Sequence, residues 1–467
     1  MKEKRLLDEL IDYSKSGAVP MHMPGHKRNA KADYLDILNA QYDITEIDGF
    51  DNLHSPEGIL KDAMNKAATL YKSSNTFFLI NGSTCGILAG MKSCLKHGDE
   101  IIMARNCHKS VYHGVELLGL TPYFLYPENV EGICGQISPV ELEELIQAHT
   151  NVKLVIITSP TYEGIISDIE ELSKVAHRYN IPLMVDAAHG AHMGFNDYFG
   201  PSAVSAGADI VINSLHKTMP SLTQTALAHV NGGLVDGKEY GRCLSIFETS
   251  SPSYLLMASI DGCINLVMDK GEDLFDAYEQ RVRRFYEAVK GLKRLRVLGF
   301  EYAQNNNLKK DPGKIVVFTT GIGISGVKLS EILRSEYKIE VEMASLEYII
   351  AMTGLMDGEE NLHRLASALN EIDLRCDFDR EKKISNLTDL YFKIIDENDK
   401  ATYTIEETIS TDKRNVKANA AIGCISGEYV WAYPPGIPIL IPGQVIREED
   451  VVGIRQMIEN GVNICKG

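Results

Sequence analysis

A lysine and an aspartate that each follow a largely apolar run are the residues of this sequence best suited to chemistry. Lys217 ends the segment Ser-Leu-His-Lys (214–217), shortly after the run 208–212, and Asp186 directly follows the run 181–185. In an open α/β sheet, ligands collect at the carboxyl ends of buried strands, so both side chains are expected to face one site. A lysine amine forms a Schiff base with an aldehyde, and a carboxylate stabilises a protonated pyridine nitrogen. The pair predicts a binding site for pyridoxal 5'-phosphate (PLP).

Three neighbours of this pair carry polar groups that suit the same cofactor. His189 lies three positions after Asp186, where a donor would reach the phenolic oxygen of PLP. Ser214 and His216 flank Lys217 and would add contacts to the phosphate. Lys217 must be neutral to attack an aldehyde, and desolvation beside the cofactor would lower its pKa.

The segment Asn-Gly-Ser-Thr-Cys-Gly (81–86) follows a predicted strand and opens a predicted helix. The free N–H groups at a helix N-terminus, together with the hydroxyls of Ser83 and Thr84, suit an anion. Taken alone, the segment would be interpreted as an ordinary helix cap. In the same chain as the Lys217 segment, it predicts a phosphate cup. It matches neither a Walker loop nor Gly-x-Gly-x-x-Gly.

His108 also lies just past the end of a predicted strand. Its flat imidazole would stack on a planar cofactor ring. In isolation, a solvated loop histidine would be the better interpretation, but the Lys217 and Asp186 segments favour the functional one.

Short apolar runs alternate with helical patterns between about residues 57 and 230, and these elements must position the site. The runs are 77–80, 100–103, 154–157 and 183–185, and 3.6-residue spacing marks 140–148 and 169–179. This alternation predicts an α/β fold whose sheet is mostly parallel, with helices on both faces. Other predicted helices are 3–15, about 253–289, 327–336 and 359–375, and other predicted strands are 314–318 and 348–351.

The same pattern divides the chain into four regions. The long helix at 253–289 would lead the chain out of the first domain. The regions are an N-terminal segment (1–56), a large PLP-binding domain (57–290), a small α+β domain (291–376) and a C-terminal region (377–467). The polar stretch from about 377 to 415 contains one more predicted helix and marks the last boundary.

Composition excludes several classes of function for this 467-residue chain. Its 47 Lys and Arg against 64 Asp and Glu give a net charge of −17, which disfavours nucleic acid and anionic membranes as partners. Nine cysteines without a Cys-x-x-Cys pair predict neither a disulfide framework nor a metal site. The charged, amphipathic N-terminus is not typical of a signal peptide, and no apolar run approaches the ~18 residues of a membrane span. We therefore expect a cytoplasmic protein.

Several blocks of the sequence resemble the ornithine/lysine/arginine decarboxylase family, in its bacterial branch with the aspartate-aminotransferase fold. Besides the segments above, these are Met-His-Met-Pro-Gly-His-Lys (21–27), the run 43–58, Thr-Ser-Ser-Pro-Ser-Tyr (249–254) and Tyr-Pro-Pro-Gly-Ile-Pro (433–438). They occur in order between residues 21 and 444, so a chance match is excluded. The resemblance implies the fold of PLP-dependent transferases (fold type I), with a large mostly parallel sheet domain and a smaller α+β C-terminal region.

The resemblance also implies roles for individual residues. Lys217 would be the Schiff-base lysine, Asp186 would pair with the pyridinium nitrogen and His108 would stack on the ring. The residues implied to hold the phosphate are Ser83, Thr84, Ser214 and His216. Family members are homodimers with shared active sites, so Thr249 and Ser250 would reach the cofactor of the partner subunit; a higher oligomer stays open.

Three departures from the family pattern are visible in the sequence. Cys85 stands in the phosphate cup where a serine is usual, and Gln444 stands where glutamate is usual. The chain also resembles the short members without an N-terminal receiver-like domain, so the decamers of the larger members are not expected.

The resemblance predicts a decarboxylase that converts arginine, lysine or ornithine into a polyamine-type amine and CO2. Arginine is slightly favoured, because short members often resemble biosynthetic arginine decarboxylases. Glu428, Glu46 and Asp43 are candidates to bind the distal amine or guanidinium, and each is about as well interpreted as a structural or solvated carboxylate.

Two other functions stay open. One is another fold-type-I PLP enzyme, an aminotransferase or a lyase, since fold does not fix reaction. No arginine occupies an obvious place to clamp a substrate carboxylate, which disfavours an aminotransferase. The other is a catalytically idle regulatory paralogue, and the complete set of Lys217, Asp186 and His108 argues against it.

Overall fold

The computed structural model describes residues 5–28, 33–299, 308–375, 403–432 and 436–466. The helices are α1 (Leu6–Lys15), α2 (Asp33–Ile37), α3 (Ile59–Tyr71), α4 (Gly82–Cys94), α5 (Lys109–Leu118), α6 (Pro139–Ala148), α7 (Ile169–Arg178), α8 (Leu215–Thr218), α9 (Gly237–Phe247), α10 (Tyr254–Val289), α11 (Gly326–Tyr337), α12 (Glu359–Leu374), α13 (Ile405–Ile409) and α14 (Glu448–Glu459). The strands are β1 (Asn75–Leu79), β2 (Glu100–Ala104), β3 (Thr121–Leu125), β4 (Asn129–Val130), β5 (Ile133–Cys134), β6 (Val152–Thr158), β7 (Ile165–Ile166), β8 (Leu183–Asp186), β9 (Ile210–Asn213), β10 (Ala226–Val230), β11 (Arg296–Val297), β12 (Lys309–Lys310), β13 (Lys314–Phe318), β14 (Met343–Ala344), β15 (Tyr348–Met352), β16 (Val430–Ala432), β17 (Ile437–Leu440) and β18 (Ile464–Lys466).

A seven-stranded sheet forms the centre of the fold, in the order β1-β10-β9-β8-β6-β2-β3. Strands β9, β8, β6, β2 and β3 run parallel, whereas β10 is antiparallel to both of its neighbours. Every residue of β8, β9 and β10 is buried, as expected for strands covered on both faces. The predicted α/β class with a mostly parallel sheet is therefore confirmed.

Alternate residues of the edge strand β1 enter two different hydrophobic clusters. Leu79 belongs to a cluster that includes residues of α4, α5 and α7, whereas Phe78 belongs to one that includes residues of α3 and α10. Successive side chains of a strand point to opposite faces, so Leu79 and Phe78 face different sides of β1. Both α3 and α4 contact β1, so helices cover both faces of the sheet at this strand, as the sequence predicts.

Helix starts are fixed by capping side chains. Ser138 Oγ accepts from Glu141 N ahead of α6, and Asp168 Oδ1 accepts from Glu171 N ahead of α7. Such oxygens satisfy backbone N–H groups that have no partner inside the helix. The predicted helices at 140–148 and 169–179 begin within one residue of these capped starts.

A second sheet, β11-β13-β15-β14, is antiparallel throughout. It is joined to the central domain by the β7–β12 ladder, in which Lys310 pairs with Ile165. Buried Asp373 at the end of α12 accepts hydrogen bonds from the backbone of Lys293, Arg294 and Leu295, which fixes the chain just before β11. Because β13 begins shortly after β12, the β7–β12 ladder brings the start of β13 next to the carboxyl edge of the central sheet.

The C-terminal part contains a third sheet, β17-β16-β18. The sequence predicts one more helix within 377–415; α13 lies in this stretch, and the part of the stretch up to residue 402 lies outside the described residues, as do residues 433–435 of the Tyr-Pro-Pro-Gly block. The division into four regions stays a prediction. Within the described ranges, no helix combines the length and apolarity needed to cross a bilayer.

Candidate active site

A cleft of about 360 Å³ lies at the carboxyl ends of the parallel strands of the central sheet. The strand ends converge there because β2, β6, β8 and β9 all run in the same direction. Of the residues predicted from the sequence, the cleft is lined by Ser83, Thr84, His108, Asp186, His189, Ser214, His216 and Lys217. Segments as distant as 83 and 217 in the chain thus meet at one place.

Asp186 is the last residue of β8, and Lys217 lies in the single turn of α8 just after β9. The Asp186 carboxylate is 3% exposed and accepts from Ala188 N at 3.1 Å. Burial raises its pKa, and the nearby Lys217 opposes that rise. Burial likewise lowers the pKa of Lys217, against the attraction of Asp186 and Glu342. The lysine is therefore more readily deprotonated than one in water, as a nucleophile requires.

His108 is the N-cap residue of α5, where its Nδ1 accepts from Ser110 N and lies 2.9 Å from Ser110 Oγ. Burial, reinforced by the charge of Lys217, lowers the pKa of His108 to about 4. The ring is consequently neutral near pH 7. A neutral imidazole fixed at the cleft wall can stack on a flat cationic ring without repelling it.

The predicted phosphate cup consists of two segments that touch. Ser83 at the start of α4 and Ser214 ahead of α8 share a hydrogen bond between their hydroxyls. His216 Nδ1 lies 2.8 Å from the carbonyl oxygen of Thr225, so Nδ1 must carry a hydrogen and Nε2 is left for another partner. Gly82 has φ +72°, a conformation that glycine adopts at little cost.

Several cleft residues were missed in the sequence: Asn106, Thr158, Tyr162, Glu163 and Glu342. Tyr162 donates to Glu342 Oε1 at 2.6 Å, a contact that joins the central domain to the second sheet region. The segment 159–164 follows a predicted parallel strand, and residues after such strands lie at the carboxyl edge of the sheet, as Asp186 does. No spacing in the sequence relates Glu342 to the site.

A further lysine outside the prediction, Lys314, lies directly behind the cleft. It is the first residue of β13 and is fully buried, and its Nζ contacts Nδ1 of His189. Nε2 of His189 lies 2.9 Å from Lys217 Nζ. His189, expected from the sequence at the phenolic oxygen of a cofactor, thus also bridges two amines.

Other predicted residues are not brought into the cleft of their own chain. Cys85 is buried, with its Sγ 3.0 Å from the carbonyl oxygen of Gly82. Thr249 and Ser250 are exposed, and Glu428 is exposed as well. Gln444 is buried, and its Oε1 accepts from Ile441 N.

Two of the carboxylates predicted for the substrate have local partners. Asp43 pairs with His26 Nε2 at 3.2 Å, and Glu46 accepts from Thr45 Oγ1. Neither carboxylate lines the cleft. Among the described residues, no cluster of three or more His, Cys, Asp or Glu suits a metal ion.

Residues 5–359 match the model of the family described as Orn/Lys/Arg decarboxylase, major domain. The chain belongs to this family. It is therefore a decarboxylase of a basic amino acid in a family of PLP-dependent enzymes, as the resemblance predicted. Membership favours this activity over the aminotransferase, lyase and regulatory alternatives.

Similar proteins cover nearly the whole chain. An arginine decarboxylase of Bacillus anthracis is 32% identical over 99% of this chain and 94% of its own length. One of Bacillus subtilis is 30% identical over 99% of this chain and 95% of its own. A lysine decarboxylase of Francisella novicida has a similar structure, with a TM-score of 0.83 at 21% identity over 98% of this chain and 78% of its own. The last likeness shows the fold.

Glu248, which holds the base of the cup, gives a pH-dependent prediction. Its Oε1 accepts from Ile80 N at 2.8 Å and lies 3.7 Å from Cys85 Sγ. Burial raises the pKa of Glu248 to about 7, whereas the pKa of a glutamate in an unfolded chain is about 4.3. Its contribution to stability is thus fully present below about pH 4 and is lost as the pH rises through about 7.

We expect Glu248→Gln to raise the melting temperature relative to wild type more at about pH 8.5 than at about pH 5.5. The corresponding increase in the free energy of unfolding is a few kcal/mol at most, since one pKa unit corresponds to about 1.4 kcal/mol. Glu272→Gln, at an exposed position of α10, serves as the control and should show no such difference. An equal effect of Glu248→Gln at both pH values would contradict the assignment.

Proposed function

We propose that this chain is a PLP-dependent arginine decarboxylase whose cleft binds cofactor and substrate together. The cofactor assignment rests on one observation: Lys217, Asp186 and His108 line the same cleft at the carboxyl edge of the central sheet. The choice of arginine rests on the relatives from Bacillus, which are named arginine decarboxylases and align over almost the entire chain.

The polar groups of the cleft fit PLP. Asp186 has a buried carboxylate that accepts from one backbone N–H, which leaves acceptor capacity for a pyridinium hydrogen. Asn106 Oδ1 is buried, and no described residue donates to it. The N-terminus of α4 supplies N–H groups for an anion. Donors, acceptors and a nucleophilic amine are therefore present for each polar end of the cofactor.

The predicted residues would contact three parts of the cofactor, namely its phosphate, its ring face and its phenolic oxygen. Ser83, Thr84, Ser214 and His216 would bind the phosphate, with Nε2 of His216 as its free ring nitrogen. His108 would stack on the ring face, and His189 would lie at the phenolic oxygen. The thiol of Cys85 would support the cup from beneath through Gly82.

Bound PLP supplies a cationic ring that takes up the electron pair left when the substrate carboxylate departs as CO2. Asp186 would keep the ring nitrogen protonated, because its buried carboxylate is stabilised by a cationic partner. Lys217, as a neutral amine, would hold the cofactor through its aldehyde group, and its Nζ would supply the proton delivered to Cα. His108 would cover one ring face and exclude water there.

The distal guanidinium would be bound by carboxylates, because a planar guanidinium pairs with them through two parallel hydrogen bonds. The sequence candidates for binding the guanidinium remain Glu428, Glu46 and Asp43. Since they lie outside the cleft of their own chain, they would act on the cleft of a partner subunit. Such a contribution requires the homodimer with shared active sites that the family resemblance implies.

Side-by-side measurement of CO2 release from arginine, lysine and ornithine by the PLP-loaded enzyme tests the proposal. We expect kcat/KM for arginine to exceed the other two by at least about tenfold, equivalent to about 1.4 kcal/mol. Lys217→Ala should give no release above background, because the nucleophile is lost. Equal rates with lysine would refute the substrate, and no release from any of the three would refute the activity.

Asp186→Asn should retain cofactor through the phosphate cup yet lose most turnover. A hydrogen bond to a charged group contributes about 1.5–3 kcal/mol, which corresponds to roughly 10- to 150-fold in kcat. Asp209→Asn is the matched control, since Asp209 is an equally buried carboxylate that accepts from Leu183 N at the opposite end of β8. Wild-type turnover in Asp186→Asn, with cofactor bound, would rule out its role.

A homodimer with shared sites predicts complementation between two inactive variants. Lys217→Ala removes the lysine of its own site, and Thr249→Ala/Ser250→Ala removes the exposed hydroxyls offered to the partner's site. After subunit exchange, one site of each mixed dimer keeps both its lysine and intact partner hydroxyls, so part of the activity should return. Light scattering checks the dimer; a monomer, or no recovery after verified exchange, would overturn the arrangement.

A further inference from the structure

His189 lies between two lysine amines and contacts each with a different ring nitrogen. Its Nε2 is 2.9 Å from Lys217 Nζ, and its Nδ1 contacts Lys314 Nζ. His189 is 4% exposed and Lys314 is 0% exposed, and both contacts are direct, so no water lies between the ring and either amine. Two amines that are distant in the chain, on α8 and β13, are thus connected through one imidazole.

The chemistry of a neutral imidazole allows two arrangements of this bridge with the same number of protons. The ring carries one N–H and one lone pair, so it donates to one amine and accepts from the other. With the hydrogen on Nε2, Lys217 is a neutral amine and Lys314 an ammonium. With the hydrogen on Nδ1, the ammonium is Lys217 instead. Two ammonium groups would compete for a single lone pair.

We propose that Lys314 stores the proton that Lys217 gives up, and that His189 carries it between them. A proton leaves Lys217 Nζ for Nε2 of His189, and the hydrogen on Nδ1 passes to Lys314 Nζ, so charge and protons balance. Lys217 is then the neutral nucleophile. The reverse shift makes it the acid that protonates Cα. This inference rests on the proposed function, in which Lys217 performs both tasks, and it makes Lys314 a positioning residue.

The surroundings of Lys314 suit a group that takes up and releases a proton near neutral pH. Burial lowers the pKa of Lys314 to about 7, and Asp311 opposes this effect most strongly. Its other hydrogen-bond contact is Met352 Sδ, a weak acceptor that does not take up protons. No carboxylate in the described part of the chain forms an ion pair with Lys314, so its charge is not fixed by a partner.

The titratable groups that face Lys314 come from five other segments. They are Lys310 and Asp311 before β13, Glu163 before β7, His189 after β8, Lys217 on α8 and Glu342 before β14. Asp311 and Glu342 favour the ammonium form of Lys314, whereas Lys217 and Lys310 disfavour it. The charge of Lys217 thus depends on that of Lys314, and only one of the two is readily protonated.

Titration of Lys217 in the cofactor-free enzyme tests the proposal. Labelling of Lys217 by fluorodinitrobenzene is measured from about pH 6 to about pH 10 by peptide mass spectrometry. Lys314→Met removes the proton store and a cationic neighbour, so the midpoint should rise by about one pH unit, with about tenfold less labelling near pH 7. Lys314→Arg keeps a permanent charge and should lower the midpoint instead.

Lys310→Met is the matched control. Lys310 is buried like Lys314, but its Nζ donates to the carbonyl oxygens of Asp311 and Lys314 and not to an imidazole. The control should keep the Lys217 midpoint at or below that of wild type. A purely structural role for Lys314 would not move the midpoint in opposite directions in the Met and Arg variants.

An unchanged midpoint in either folded Lys314 variant, or the same rise in Lys310→Met, would overturn the inference. If one Lys314 variant does not fold, the other decides the question. The assay needs neither PLP nor substrate. An unshifted midpoint in an enzyme that decarboxylates arginine therefore refutes the proton store alone, and an inactive enzyme that shows both shifts refutes the proposed function alone.

Discussion

Loss of water around ionisable groups is the constraint on which the site depends. At the carboxyl edge of the central sheet, burial disfavours the charged form of both acids and bases, so it raises the pKa of Asp186 and lowers that of Lys217. The buried carboxylate of Asp186 is then stabilised by a cationic partner, and the buried amine of Lys217 by an anionic one. By contrast, the exposed pair of Arg242 and Glu239 on α9 lies in water, where such pairs contribute little.

This constraint explains why two sheets are needed. The parallel strands of the central sheet bring Asp186, His108 and the residues predicted to bind phosphate to one edge, and Glu342 from the second sheet region also lines the cleft there. The second sheet closes it with Lys314 and Glu342, and Tyr162 contacts Glu342 across the junction. Desolvation of the amine and carboxylate therefore results from the packing of two sheets, and no single element provides it.

The central sheet and its catalytic candidates were predictable from the sequence because they follow local rules. A residue such as Asp186 after a buried strand has its place fixed by strand direction, and the strand at 314–318 was predicted with its observed bounds. The role of Lys314 was not predictable, because its contact with His189 spans 125 positions and depends on how the sheets dock. Cys85 was placed in the cup by its neighbours, but helical geometry turns its thiol toward Glu248.

The β7–β12 ladder joins the two sheets by backbone hydrogen bonds, which do not depend on side-chain identity. The side chains of Ile165 and Lys310 in this ladder are buried, so they add packing to the main-chain pairing. The connection that follows is short, since only three residues separate Lys310 in β12 from Lys314 at the start of β13. A single inserted or deleted residue there would turn the Lys314 side chain to the other face of its sheet. The length of this connection therefore determines which face of the second sheet carries Lys314.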